Sequence, residues 1–220
     1  MCKNKLSLIV LISTILLALN FMSTSSASND SSSNNWTMFR NNPNHTGYTS
    51  TNSSANSAKL LWTYTTNGSV WSSPAVVNGS LFVGSKDGYI YCLNSSNGKL
   101  LWKFGPAYDE VNGSPAVDNG RVYVSAYDGF LYCYDISTGQ PIWIKWVGGY
   151  VFSSPVVADG RVYVGSGKKD LICFNATDGS LIWLFQTEDI VQSSPAVSNG
   201  IVYCATGAFA VYAINASTGK

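Results

Sequence analysis

Residues 72–104 read SSPAVVNGSLFVGSKDGYIYCLNSSNGKLLWKF. Asn78-Gly79 separates two apolar, β-rich runs and supplies the positive φ of a two-residue type I′ hairpin turn. Asp87-Gly88 marks a second reversal, and Asn94 to Gly98 a third. In the third, the leading Asn can bond amides two residues on and the Gly can take the left-handed conformation. The stretch predicts four short antiparallel strands, near 72–77, 80–85, 89–94 and 99–104.

The same stretch recurs. Pro74, Pro115, Pro155 and Pro195 are 41, 40 and 40 residues apart, and Trp62, Trp102, Trp143 and Trp183 are 40, 41 and 40 apart. Gly79, Gly120, Gly160 and Gly200 keep the step, and the one extra residue falls in GPAYDE after Phe104. Lys169 and Phe209 stand where Gly88 and Gly129 do, so the second turn is made differently in the later copies. Runs such as RVYV and FLYCY are apolar almost throughout, whereas a sheet with one wet face would alternate. The predicted sheets are therefore covered on both faces. Four-stranded sheets at a period near forty, stacked face to face, are the blades of a β-propeller. A β-solenoid has shorter coils without four reversals, and the Pro, Gly and β-branched content excludes a helical repeat.

A net charge of +1 gives no basic footprint for nucleic acid. Aromatic residues at 13% argue for a packed domain rather than a disordered chain. Lys3 and Lys5 precede an apolar run, Leu6 to Phe21, and Ser25-Ser26-Ala27 offers a small-residue cleavage site. Residues 1–27 thus read as a secretory signal peptide of the Sec type. An uncleaved anchor is the competing reading, but the run is short of the ~20 residues a span needs. Once the signal is cleaved, no membrane span is expected. Residues 28–58 form an Asn/Ser/Thr-rich lead-in segment, and 59–220 hold the repeats. Acceptor sequons recur from Asn29 to Asn215, several of them in expected turns, where turn chemistry explains the Asn equally well.

The spacing Asn/Asp-x-x-x-Gly-x-x-Leu/Ile-Trp appears as NSSNGKLLW (94–102), DISTGQPIW (135–143) and NATDGSLIW (175–183). It resembles the tryptophan-docking motif of the pyrroloquinoline-quinone (PQQ)-type β-propeller repeat family, and WTMFRNNPNHTGYT (36–49) resembles the segment that opens such proteins. The resemblance covers residues 36–220. It implies that Trp62, Trp102, Trp143 and Trp183 dock on the neighbouring blade near its motif glycine, Gly98, Gly139, Gly179 or Gly219. It also raises PQQ and calcium as cofactors. Quinoprotein dehydrogenases of the family carry adjacent cysteines, carboxylate and amide calcium ligands and a catalytic aspartate. This chain has no adjacent cysteines, and the other parts do not map. Non-enzymatic relatives include a scaffold for outer-membrane protein assembly and sensor modules.

Other chemistry is sparse. Cys92, Cys133 and Cys173 share one slot that Ala213 fills in the fourth copy, and Cys204 aligns with Val83, Val124 and Val164, so these four, the cysteines left once the leader with Cys2 is removed, read as free packing residues. His45 is the only histidine. Ser73, Ser114, Ser154 and Ser194 read as strand-start residues without a base to activate them. Asp109, Glu110, Glu188 and Asp189 fall in loops and read as solvated charge. After the aligned Val70, Val111, Val151 and Val191 come Trp71, Asn112, Phe152 and Gln192, which differ in every copy. These four are the candidate ligand face, with axial packing as the equal alternative.

The last residues, NASTGK (215–220), are the turn before an outer strand, while AKLLWTYTT (58–66) is an outer strand with no inner strands before it. Two arrangements follow. Residues 59–66 close a four-bladed ring, or the chain is an open arc, the truncated first half of a ring of seven or eight blades. The eight blades usual in the resembled family favour the arc. The expected function is an exported, non-catalytic binding or scaffolding propeller of the cell surface or envelope. Its expected partner is a protein or surface glycan, and its exposed blade faces invite self-association. The alternatives are a truncated PQQ-dependent dehydrogenase and a carbohydrate binder using Trp71, Tyr108 and Trp146.

Overall fold

The computed structural model describes residues 35–48 and 59–220; the signal-peptide reading falls outside the described residues. The protein is all-β, built as four antiparallel sheets. Blade one runs β1 (Ala75–Val77), β2 (Ser80–Gly84), β3 (Ile90–Asn94) and β4 (Leu100–Phe104), paired in that order. Blade two repeats it with β5 (Ala116–Asp118), β6 (Arg121–Ser125), β7 (Phe130–Asp135) and β8 (Pro141–Trp146). Blade three has β9 (Val156–Ala158), β10 (Arg161–Gly165), β11 (Asp170–Asn175) and β12 (Leu181–Gln186). Blade four has three strands, β13 (Ala196–Ser198), β14 (Ile201–Ala205) and β15 (Val211–Asn215). Residues 59–66 join no sheet, so the blades form an open arc rather than a four-bladed ring. Among the described residues no helix is long and apolar enough to cross a membrane.

The turns follow their residues. Asn78, Asn119, Asp159 and Asn199 have φ of 49°, 45°, 50° and 51°, and each is followed by a positive-φ glycine, as a type I′ turn demands. Lys169 and Phe209 keep the left-handed conformation of Gly88 and Gly129, at φ 70° and 62°. That costs roughly 1–2 kcal/mol per non-Gly residue. The innermost strands begin at Ala75 and its equivalents, later than residue 72. Pro74 has no N–H to give a ladder, the Ser72 hydroxyl bonds both the amide and the carbonyl of Gly84, and the Ser73 amide donates to the next blade.

The middle strands of blades two and three are buried along almost their whole length, and their outer strands are mostly exposed around a buried tryptophan. In each outer pair the tryptophan faces a cysteine, Cys92↔Trp102, Cys133↔Trp143 and Cys173↔Trp183, and the register then shifts by one residue. The cysteine slot is small because an indole lies beside it across the pair. The bulge turns Leu101, Ile142 and Ile182 outward.

Residues 35–48 lie against the innermost strands. Trp36 bridges Val76, while Thr37 and Pro43 offer carbonyls to the amides of Val117 and Val197. Met38 is buried in the main core. This lead-in segment thus caps inner edges that would otherwise leave amides unpaired.

Candidate functional site

The structure lays each motif tryptophan on a motif glycine of the following blade: Trp62 on Gly98, Trp102 on Gly139, Trp143 on Gly179 and Trp183 on Gly219. A Cβ at any of these glycines would sit within 2.9 Å of the indole or, at Gly179, of Lys145 as well. Each glycine also has φ near 70°, so both space and backbone require it. The indole Nε1 donates to a backbone carbonyl of the same turn: Ser95 at 3.0 Å, Ile136 at 3.0 Å, Ala176 at 3.2 Å and Ala216 at 3.0 Å. Tyr123 and Tyr163 donate their hydroxyls to Ala176 O and Ala216 O alongside the indoles. The signal for these tyrosines was a shared slot, Phe82, Tyr123, Tyr163 and Tyr203, which period alone does not mark as a junction.

The serines beside the prolines have a role that the sequence reading missed. The amides of Ser73, Ser114 and Ser154 donate to the hydroxyls of Ser114, Ser154 and Ser194 at 2.9, 2.9 and 3.1 Å. A ladder of serines thus links neighbouring blades near the innermost strands. One residue earlier, Ser72, Ser153 and Ser193 bond to Gly84, Gly165 and Ala205. Copy two exchanges the pair: Gly113 faces Ser125, whose hydroxyl would lie 2.0 Å from a Cβ at 113. One hydroxyl fits there, not two.

The loops entering the innermost strands meet the second-turn loops at one end of the arc. Lys86 N bonds Ser69 O, Tyr127 N bonds Glu110 O and Gly207 N bonds Ile190 O. Trp71 is 68% exposed there, and Lys86 Nζ lies 3.5 Å from its ring centre. Lys86 also pairs with Glu110 at 3.0 Å, and Asn112 Nδ2 donates to the same Glu110 oxygen at 3.1 Å. These bonds, from Asn112 first and then Lys86, hold the Glu110 carboxyl below its ordinary value. Glu110 is therefore an organising residue rather than free loop charge. Asn112 Oδ1 is buried and has no partner. Phe152 belongs to a second group, edge-on to Tyr127 at 5.1 Å, with Tyr150 stacked on Tyr127 at 4.3 Å. Of the four candidate ligand residues, Trp71 and Asn112 thus share one cluster, Phe152 sits in another, and Gln192 is exposed in neither. Beneath the loops, Asp87 accepts from the Asn67 and Tyr89 amides and the Tyr91 hydroxyl, and Asp128 repeats this with Tyr108, Phe130 and Tyr132.

Tyr108 is 93% exposed, while Trp146 lines an open cleft of about 360 Å³ with Lys168, Asp170 and Leu184. Burial pushes the Asp170 carboxyl up despite Lys168. The Cys92, Cys133, Cys173 and Cys204 thiols are free and buried. His45 packs edge-on to Phe39 at 5.5 Å, and burial, with Arg40 beside it, lowers its pKa. Among the described residues no three His, Cys, Asp or Glu side chains come together as a metal site.

Blades of this repeat, joined by tryptophans on motif glycines, define a β-propeller of the PQQ-like repeat type. The family model described as outer membrane protein assembly factor BamB matches residues 51–151 and 132–220, and the chain belongs to that family. No curated protein matches it. Among solved structures it is similar to BamB from Moraxella catarrhalis, 16% identical with a TM-score of 0.65 over 73% of this chain and 51% of that one. It is similar also to quinohemoprotein alcohol dehydrogenase ADHIIG from Pseudomonas putida HK5, 20% identical with a TM-score of 0.73 over 84% of this chain and 39% of that one. The computationally designed Ika4 protein aligns over 99% of its own length and 72% of this chain, 17% identical with a TM-score of 0.66. The chain thus spans about half the length of the BamB and about two fifths of the dehydrogenase.

Proposed function

We propose that this chain is an exported, non-catalytic β-propeller that binds or scaffolds a protein at the cell envelope. Family membership supports an assembly role, since the matching model is described as an assembly factor. The observation that carries the reading is the loop end of the arc. There, residues that differ from copy to copy form exposed patches, Trp71 over Lys86 and Tyr150 and Phe152 around Tyr127, while the strand order and the serine ladder beneath repeat from blade to blade. Exposed aromatics on a rigid frame are suited to be binding anchors. The same aromatics suit a surface glycan as a second partner class. Export rests on the basic and apolar leader, Lys3 to Ala27.

The likeness to ADHIIG favours a second reading, a quinone-dependent oxidoreductase. What weighs against PQQ and calcium is the lack of adjacent cysteines in the sequence and of a carboxylate cluster among the described residues. The cysteines lie apart in separate blades and the described carboxylates do not cluster. The proposal therefore contains no redox step.

Capture from envelope extract, comparing the wild-type chain with Trp71→Ala and Phe152→Ala, tests the binding face. A partner retained by wild type should bind each variant about 1 kcal/mol or more weaker. Unchanged retention by both variants, with intact circular dichroism, moves the site elsewhere. Calorimetric titration with PQQ and calcium separates the two readings: saturable micromolar binding overturns the non-catalytic one.

A further inference from the structure

The junctions between blades are not filled alike. Between blades one and two, Phe104 lies 5.1 Å from Tyr134, and Tyr134 stacks on Tyr132, whose hydroxyl donates to Asp128. Between blades three and four, Phe185 is edge-on to Tyr212 at 5.7 Å, and the Tyr212 hydroxyl accepts the Glu188 amide. Each of these junctions holds a phenylalanine from the leading outer strand and a tyrosine from the third strand of the following blade.

Between blades two and three both rings are missing. Lys145 stands two residues past its tryptophan, where Phe104 and Phe185 do, and Ile172 stands before its cysteine, where Tyr132 does. The Lys145 side chain lies toward Gly179, where a Cβ would be 2.6 Å from its Cε. Lys168 and Asp170 replace Asp128 and Phe130, so the aspartate clamp and its tyrosine are exchanged together. Asp170, Ile172 and Phe174 alternate along β11 and share one face. The exchange leaves the open cleft of about 360 Å³. The buried Ile172 and Phe174 line it with the partly exposed Leu181 and Leu184 of β12 and Trp146 of β8. Its polar lining is Lys168, with Nζ 5.7 Å from the Trp146 ring centre, and Asp170. The Asp170 carboxyl is held by no hydrogen bond among the described residues, where the one ion pair is Lys86 with Glu110.

We propose that this cleft binds a tyrosine side chain carried by a partner protein. The phenol ring replaces the aromatic filling that the neighbouring junctions supply from within, and it covers Ile172 and Phe174. Its hydroxyl donates to Asp170 and accepts from Lys168, a double capacity that phenylalanine lacks. Charge narrows the choice further: a cationic group meets Lys168 and an anionic one meets Asp170, whereas a neutral hydroxyl suits both. A sugar ring needs polar partners around its rim, and this lining offers two in a largely apolar wall. Because the cleft is open, one ring enters while its flanking residues lie over Ile144 and Leu184, which are 45% and 49% exposed. A tyrosine seated in such a pocket is a frequent anchor of protein interfaces. None of the lining residues belongs to the patches around Trp71 and Phe152, so this site stands or falls apart from them.

Titration of the purified full chain with N-acetyl-tyrosinamide, followed at the Trp146 indole N–H by NMR, tests the site. A saturable shift is expected, with N-acetyl-phenylalaninamide binding on the order of tenfold weaker, because it cannot donate to the carboxylate. Asp170→Asn should remove most of that preference and leave the phenylalanine affinity unchanged. Ile172→Tyr restores the residue of the neighbouring junctions and should abolish the shift with circular dichroism intact. Leu184→Glu, at a half-exposed position that spares the core, should weaken both amides about tenfold or more and serves as the blocking variant if Ile172→Tyr does not fold. A blocked Ala-Tyr-Leu peptide should bind at least as tightly as the tyrosine amide. No saturable shift, equal affinity for the two amides, or binding that survives the blocking variant overturns the proposal. So does tighter binding of methyl glucoside, which marks a glycan site, or of free phenol, which marks a small-molecule site.

Discussion

Trp143→Ala removes an indole that is 8% exposed. An aromatic side chain of this kind buries ~150–250 Å², about 4–6 kcal/mol at ~25 cal/mol per Å² and less against a compact unfolded chain. Large-to-small substitutions of tryptophan put the net loss near 3–5 kcal/mol. The hydrogen bond adds little to this at Trp143, because Ala176 O keeps the Tyr123 hydroxyl at 3.0 Å. Trp102 differs. Phe82 stands where Tyr123 does, and the indole is the side-chain donor to Ile136 O. Trp102→Phe should therefore cost more than Trp143→Phe, by on the order of 1 kcal/mol. Urea unfolding followed by far-ultraviolet circular dichroism gives both comparisons. Because blades touch only their neighbours, a weakened junction can also split the transition in two. Losses below about 1 kcal/mol for alanine at Trp102, Trp143 and Trp183 together would refute docking as the source of blade cohesion.

Two further outcomes are expected. Burial pushes the Cys133 and Cys173 thiols up to about 12 and those of Cys92 and Cys204 up to about 11, so native alkylation at pH 8 of the chain without residues 1–27 should leave all four unmodified; mass spectrometry after non-reducing denaturation should then find four reactive thiols, and a disulfide among them contradicts the assignment. Burial raises the Asp87 carboxyl, but the hydrogen bonds from Tyr91, Tyr89, Ser85 and Asn67 outweigh it and leave the pKa lowered. A depressed folded pKa contributes stability above the unfolded value, near 3.9, that is lost as pH falls through the folded one. Asp87→Asn should flatten the stability curve in that acid window, and an unchanged acid limb in denaturant melts at several pH values rules the contribution out.

The period made the blades legible, because turn glycines, prolines and tryptophans carry the fold through local backbone needs and one large contact each. The same period aligned the tryptophans and motif glycines, and the family resemblance paired them. The period did not reveal the serine ladder, since a hydroxyl that accepts an amide forty residues away looks like any strand-start serine. The exchange of Ser72 and Gly84 for Gly113 and Ser125 was written in the aligned copies, but its meaning needs the two backbones face to face. The lead-in segment was opaque for another reason: Thr37 and Pro43 act through their carbonyls, which have no side-chain signature. Glu110 read as loop charge because Lys86, its partner, belongs to a different hairpin end and is matched by no charge pattern in the repeat.

The docked indoles and the proposed binding patches occupy separate places on each blade. The indoles, motif glycines and their carbonyl acceptors gather where the third and fourth strands turn, and every copy keeps them. The opposite turns carry the Asp87 and Asp128 clamps in two copies, while Lys168 and Ala208 replace the aspartate in the others. That end is therefore held by varied means, and its surface differs accordingly: a cation over Trp71, a stack of Tyr127 and Tyr150, an exposed Phe209. Exposed side chains on such a frame change at a cost usually within about 0.5 kcal/mol, far below the loss of a docked indole. A repeat whose docked indoles sit at one end of each blade, and whose serine ladder is buried beneath the other, leaves the exposed side chains of that other end open to change residue by residue, as the patches around Trp71 and Phe152 do.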